Sequence, residues 1–198
     1  MSRLPAAAEI VAFHDERLAA PRAPARAETD VWTGIEINHR QNCVLWENED
    51  LARRRNVPDS EIAANKRAID DANQKRSDAV ERIDEKLLEA LKNIKPGEGA
   101  RLSSETPGAM IDRLSILALK VHHMRLQTGR TDVDAAHIDA CRKKLARLEE
   151  QRRDLSACLE RLLAEAERGE SYFKVYRQFK MYNDPRLNPA LYGDAKRG

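Results

Sequence analysis

The sequence predicts an all-α, single-domain antiparallel bundle of five to six helices with long coiled-coil-like segments, and three observations carry that prediction. Apolar residues recur at alternating spacings of three and four over stretches of twenty residues or more, the mark of a buried helical stripe. The composition is that of long helices, with 34% charged and only 5% aromatic residues. Proline and glycine gather at a few points, so they divide the chain into segments rather than interrupting it throughout. At 198 residues there is enough chain for one good core.

Residues 5–20 read as a first helix, with Ile10, Val11, Phe13 and Leu18 as its apolar contacts. PRAPARAE (21–28) reads as a linker, because two prolines and no apolar period exclude regular structure; it closes an N-terminal unit of residues 1–28. A second helix runs from about Thr29 to Arg55, ended by Asn56 and Pro58. The third starts near Pro58 and continues to about Ile94. Its stripe is Ile62, Ile69, Asn73, Arg76, Val80, Ile83, Leu87, Leu91 and Ile94.

KPGEGARLSSETPG (95–108) is the main break, with Ser104 or Thr106 as an N-cap and Pro107 in the first turn that follows. The fourth helix, about 107–127, carries apolar residues on both faces and is predicted to be the most buried. Thr131-x-x-Asp134 resembles a capping box for the fifth. That helix has a seam of Cys141, Leu145, Leu148, Arg152, Leu155, Leu159, Leu162 and Ala166, one arginine among seven apolar positions, and Gly169 ends it. SYFKVYRQFKMY (171–182) predicts a shorter aromatic helix that completes a bundle domain of residues 29–182. The remainder, 183–198, is an extended aromatic and proline-containing tail held by Leu187, Leu191 and Tyr192.

A net charge of +2 gives no strong field toward nucleic acid or anionic lipid, so neither is an expected partner. The longest purely apolar run is ILAL (116–119), against the roughly 20 residues of a membrane span, so no membrane insertion is expected. Three widely spaced cysteines match no zinc or redox spacing and suit a reducing cytoplasm. No phosphate-binding glycine loop, nucleophile elbow or HExxH is present, and no motif names a cofactor. His122 and His123 are adjacent, so they cannot share a metal with helical i, i+4 geometry, and no metal site is expected.

CVLWENEDLARRR (43–55) is the stretch that points to chemistry. The seam of the second helix is Trp32, Ile35, His39, Asn42, Trp46, Glu49 and Arg53, with Asp50 beside Glu49; it begins apolar and ends charged. The third helix offers Asn73 and Arg76 in its own seam. A hairpin folding at 56–58 puts Trp46 opposite Ile69, His39 near Arg76 and Asn42 level with Asn73. Two readings stay open. The polar residues form a hydrogen-bonded layer that fixes helix register, or they line a site. In the second, Glu49 and Asp50 bind a cation or act as acid and base, Arg53 and Arg76 grip an anion, and Trp46 and Asn73 complete the lining.

SSETPGAMIDRLSILALK (103–120) is a second constellation. Glu105 lies at a helix N-terminus, where the dipole favours an anion. Asp112 joins the catalytic candidates and Arg113 the binding candidates, while the bland expectation pairs Asp112 with Arg152. Glu47-x-x-Asp50 and Glu81-x-x-Asp84 loosely match the acidic pairs that hold magnesium in all-α nucleotide pyrophosphohydrolases, although the hairpin register sets them well apart.

Four blocks, LWENEDLARR (45–54), KRAIDDANQKRSDAVERID (66–84), SETPGAMIDRLSILALK (104–120) and QFKMYNDPRLNPALY (178–192), together resemble a bacterial family catalogued as domain of unknown function 4254. The resemblance covers about residues 30–192. It implies a bacterial cytoplasmic protein whose relatives are encoded beside glycosyltransferases of lipopolysaccharide or capsule assembly. The positions it singles out are Trp46, Glu49, Asp50, Arg53, Asp70, Asn73, Arg76, Glu105, Asp112, Arg113 and Tyr182 to Pro185. The leading expectation is an enzyme or a binder of a small anion or phosphosugar in cell-surface glycan biosynthesis. The alternative is a non-catalytic helical partner or scaffold, docking on a glycosyltransferase or self-associating. A magnesium-dependent pyrophosphohydrolase-like enzyme is the third.

Overall fold

The structure, a computed structural model, describes residues 4–21, 30–181 and 184–190. Five helices make up most of it: α1 (Ala7–Ala19), α2 (Asp30–Leu51), α3 (Asp59–Ala90), α4 (Pro107–Thr128) and α5 (Ala135–Glu167). Residues 22–28 of the expected linker (21–28) lie outside the described residues, as do Tyr182, Asn183, Leu191 and Tyr192.

α2 and α3 form the most extensively packed pair. Gly34 rests against Ala79 and Ile83, while Leu45 clusters with Ile69 and Ala72, so the two helices run in opposite senses as a hairpin closed at 52–58. Along the other hairpin, Arg125 of α4 reaches Glu149 of α5 at 2.7 Å. α4 packs on all four other helices, which is why its apolar residues cover more than one face. Ile111, Leu114 and Ala118 are fully buried there, next to Ile10, Ile35, Ile83, Leu87 and Leu159 from the surrounding helices. Each such Leu or Ile contributes roughly 1.5–3 kcal/mol relative to exposure.

The caps follow the sequence signals at one end and depart from them at the other. Thr106 Oγ1 accepts the Ala109 amide (3.2 Å) with Pro107 at the first helical position. At α5 the cap is Asp134 itself, which accepts the His137 amide at 2.7 Å; Thr131 lies one turn too early to form the expected box.

The expected aromatic helix at 171–182 does not form over the described residues 171–181. Gly169 takes φ +71, ends α5 and leaves no room for a side chain, since a Cβ would fall 2.8 Å from the Lys95 carbonyl oxygen. The chain then enters β2 (Ser171–Tyr172), which pairs in parallel with β1 (Arg101–Leu102). Buried Ser171 and Phe173 alternate with more exposed neighbours, a period of two that suits an extended segment. Residues 173–180 continue without regular structure along α3. Leu187, expected to pin the tail, is half exposed.

Candidate functional site

Trp46 lies half-buried where α2 faces the α4–α5 hairpin, and its indole stacks on His123 with ring centroids 4.5 Å apart and planes 5° from parallel. Helical periodicity explains the pairing: Trp46 follows Asn42 on the face of α2 that meets α4, and His123 is two turns beyond Ser115 on the matching face of α4. Burial, with His122 alongside, holds the His123 imidazole below its usual range, so it stacks on the indole as a neutral ring at pH 7.

The stack forms one wall of a cavity of about 550 Å³. Met124 and Leu148 supply apolar floor, while Lys120, Lys144 and Arg147 supply three cations. Asp50, one turn beyond Trp46, is the one carboxylate among the described lining residues, and Gln127 and Gln151 are its amides. Lys120 and Gln151 also line a second cavity of about 630 Å³ farther along the same α4–α5 face. Arg113 stands there, paired with Glu105 at 2.5 Å.

The remaining candidate residues are placed elsewhere. Glu49 and Arg53 pair with each other at 3.0 Å, both largely exposed near the end of α2. Arg76 lies in α3 near the middle of the bundle, its Nε 3.9 Å from Asp112 Oδ1. With Leu45 against Ile69 and Ala72, Glu49 and Arg76 are separated by roughly 15 Å along the hairpin. The single slot of Glu49, Asp50, Arg53, Asn73 and Arg76 is therefore not assembled, and only Asp50 joins Trp46 in a cavity. Asn73 takes part through its backbone, whose carbonyl accepts from Ser77 Oγ and from Lys180 Nζ.

Asp112 belongs to a buried polar layer between α2 and α4. Its Oδ1 accepts from Asn38 Nδ2 (2.8 Å) and Asn42 Nδ2 (2.9 Å), and Asn42 also reaches Ser115 Oγ (3.1 Å). His39 Nδ1 lies 2.7 Å from the same Ser115 hydroxyl. The expected ion pair with Arg152 does not form, because Arg152 faces α1 and meets Asp15 at 2.9 Å and the Val11 carbonyl at 3.0 Å. Here the register-fixing role accounts for the atoms: Asn38, His39, Asn42 and Ser115 are buried and hydrogen-bonded to one another.

Of the two acidic motifs, the one on α3 is engaged. Asp84 is buried against the Gly108 amide, and Glu81 holds Arg177 at 2.7 Å. Among the described residues, no three His, Cys, Asp or Glu side chains gather in a way that could hold a metal ion, and no helix is long and apolar enough to cross a membrane.

Comparison with known families matches residues 32–175, well over half of the chain, to the family described as protein of unknown function DUF4254. The chain belongs to that family. No curated protein and no solved structure matches it. The family match spans the Trp46 groove, both walls of the adjoining cavity and the Asp112 layer. α1 and the segment beyond residue 175 fall outside it.

Lys120, Lys144 and Arg147 carry no sequence signal of a site, and His123 carries only its adjacency to His122. Their common feature is tertiary. Each lies on a different turn of two helices, and only the docking of Trp46 on His123 shows that they surround one space. The adjacency of His122 and His123 was a signal read only for metal ligation, where it fails.

Proposed function

We propose that the chain binds a phosphorylated sugar in the groove walled by Trp46 and His123. The observation that carries the reading is the co-location of a flat aromatic pair with three cations and one carboxylate around a cavity of about 550 Å³. Aromatic faces receive the apolar face of a sugar ring. Lys120 and Lys144 supply the charge a phosphate needs, and Arg147, whose Nη1 is held by Glu150 at 2.7 Å, adds its remaining N–H donors. Asp50, Gln127 and Gln151 offer acceptors and donors to ring hydroxyls. Phosphorylated sugars are also the substrate class of cell-surface glycan assembly, the setting that the family resemblance implies. The groove supports binding over glycoside hydrolysis, because hydrolysis calls for two carboxyl groups flanking the bond and Asp50 is the one carboxylate among the described lining residues.

The test uses a Trp32→Phe background, so that Trp46 is the one tryptophan, excited at the red edge apart from the four tyrosines. Titration with a panel of hexose 1-phosphates and nucleotide sugars is expected to quench Trp46. Lys120→Met should weaken binding by tenfold or more, while Glu49→Gln, outside the groove, leaves it unchanged. A protein that responds to no member of the panel, by fluorescence or by calorimetry, overturns the reading.

A second reading, a helical partner protein, rests on the segment after β2. There Arg177 and Lys180 are turned onto α3, while Tyr176, Phe179 and Met181 face solvent, Phe179 at 86% exposure. Such an outward apolar edge is what a docking surface presents. Sedimentation of the protein with Tyr176 and Phe179 both changed to Ser tests it for self-association; a species of unchanged mass would remove that form of the reading.

A further inference from the structure

Lys120 and Gln151 line both cavities of the α4–α5 face, so the two spaces meet at that pair. The cavities differ in chemistry. The one at Trp46 has the aromatic wall and also carries Lys144 and Arg147. The other, about 630 Å³, is floored by Met110, Ile116, Leu117 and Leu155, with Glu105 paired to Arg113. Glu105 and Arg113 neutralise each other, and Asp154 on the rim offsets Lys120, which leaves that space an apolar-floored trough with no net charge.

We infer that the ligand is amphiphilic, a sugar phosphate bearing an aliphatic chain, with the ring at Trp46, the phosphate at Lys120 and the chain in the trough over Ile116 and Leu155. This rests on the groove reading and names the substrate class of that same site. A free sugar phosphate fills the first cavity and leaves the floor of the second, half-buried Ile116 over buried Met110, Leu117 and Leu155, uncovered. A chain covers that surface, and each seated methylene contributes about fourfold in affinity. Lys120 lies where the polar and apolar spaces join, the position that a phosphate linking a ring to a chain requires.

Cys158 lines the trough and is exposed, whereas Cys141 is buried and burial raises the Cys43 thiol to about 11. Cys158 is therefore the thiol that reacts first with a maleimide at neutral pH. The experiment compares ethyl phosphate, octyl phosphate and glucose 1-phosphate for affinity and for protection of Cys158 from N-ethylmaleimide, read by mass spectrometry. Octyl phosphate is expected to bind at least tenfold more tightly than ethyl phosphate and to slow alkylation several-fold. Glucose 1-phosphate should bind without protecting. Ile116→Gln should erase the chain-length dependence while leaving glucose 1-phosphate affinity as it was. Binding of glucose 1-phosphate with no gain from the octyl chain and no protection overturns this inference and leaves the groove reading standing. Absence of binding by all three overturns both.

Discussion

Gly108 occupies the second position of α4, where its amide donates to the buried Asp84 carboxylate of α3 at 2.6 Å. A Cβ at this position would stand 2.6 Å from the Val80 carbonyl oxygen and 2.9 Å from Asp84 Oδ1, and the Val80 backbone cannot move aside without distorting α3. Gly108→Ala should therefore destabilise the fold by about 3 kcal/mol, the upper range for overpacking, although alanine is the better helix former. Urea denaturation measures this, and a variant within roughly 0.5 kcal/mol of the parent would show that the two helices separate freely there. Thr106 and Pro107 were legible from sequence as a cap and a first turn, because those roles depend on local backbone alone. The requirement for Gly108 was not legible, since it comes from a helix more than twenty residues upstream. The same limit explains Asp112 and Arg152. Both were visible as charged residues on apolar faces, but a seam position does not reveal which neighbour it meets.

At the scale of elements, the hairpin of α2 and α3 was readable because its turn and both stripes lie in one continuous stretch, which fixes register by counting. The placement of α1 was not, as the proline-containing link before α2 sets no direction; α1 turns out to answer Arg152 through Asp15. The aromatic residues after Gly169 also fit a short helix, and only pairing with β1 selects the extended form. Beyond that pairing the segment is fastened to α3 by a few polar contacts: Arg177 to Glu81 and Glu85, the Gln178 amide to Glu81 at 2.9 Å, and Lys180 to the Asn73 carbonyl at 3.0 Å. Exposed ion pairs of this kind contribute about 1 kcal/mol or less each. Arg177→Ala should accordingly leave global stability nearly unchanged while speeding proteolysis between residues 174 and 181 several-fold. An unchanged cleavage rate would mean that Arg177 does not hold the segment.

Across the whole molecule, three buried titratable groups set opposing responses to acid. His14 and His39 stack at 4.7 Å in the interior of the bundle, His14 completely buried and with neither ring nitrogen hydrogen-bonded. Burial lowers both, His39 to about 4, and the guanidinium of Arg152 pushes both further down while Asp15 opposes it at His39. Asp84 moves the other way, raised to about 6 by burial against the bonds from Thr106 and Gly108. A histidine whose folded value lies below 6.5 leaves the unfolded chain binding more protons, so stability is full above pH 6.5 and declines toward pH 4. For His39 that loss amounts to about 2 kcal/mol by pH 5, with His14 adding in the same direction. A carboxyl raised above its unfolded value binds protons first in the folded state, so Asp84 returns stability as pH falls through 6, by about 1 kcal/mol at pH 5. The histidines prevail, and the protein should weaken on acidification from pH 7.5 to 5. His14→Phe keeps the stack and removes two orphaned polar atoms, so it should match or exceed the parent at pH 7.5. Its loss on reaching pH 5 should be smaller than the parent's, as read from urea midpoints at the two pH values. An equally steep decline in the variant would move the acid sensitivity away from the His14–His39 stack.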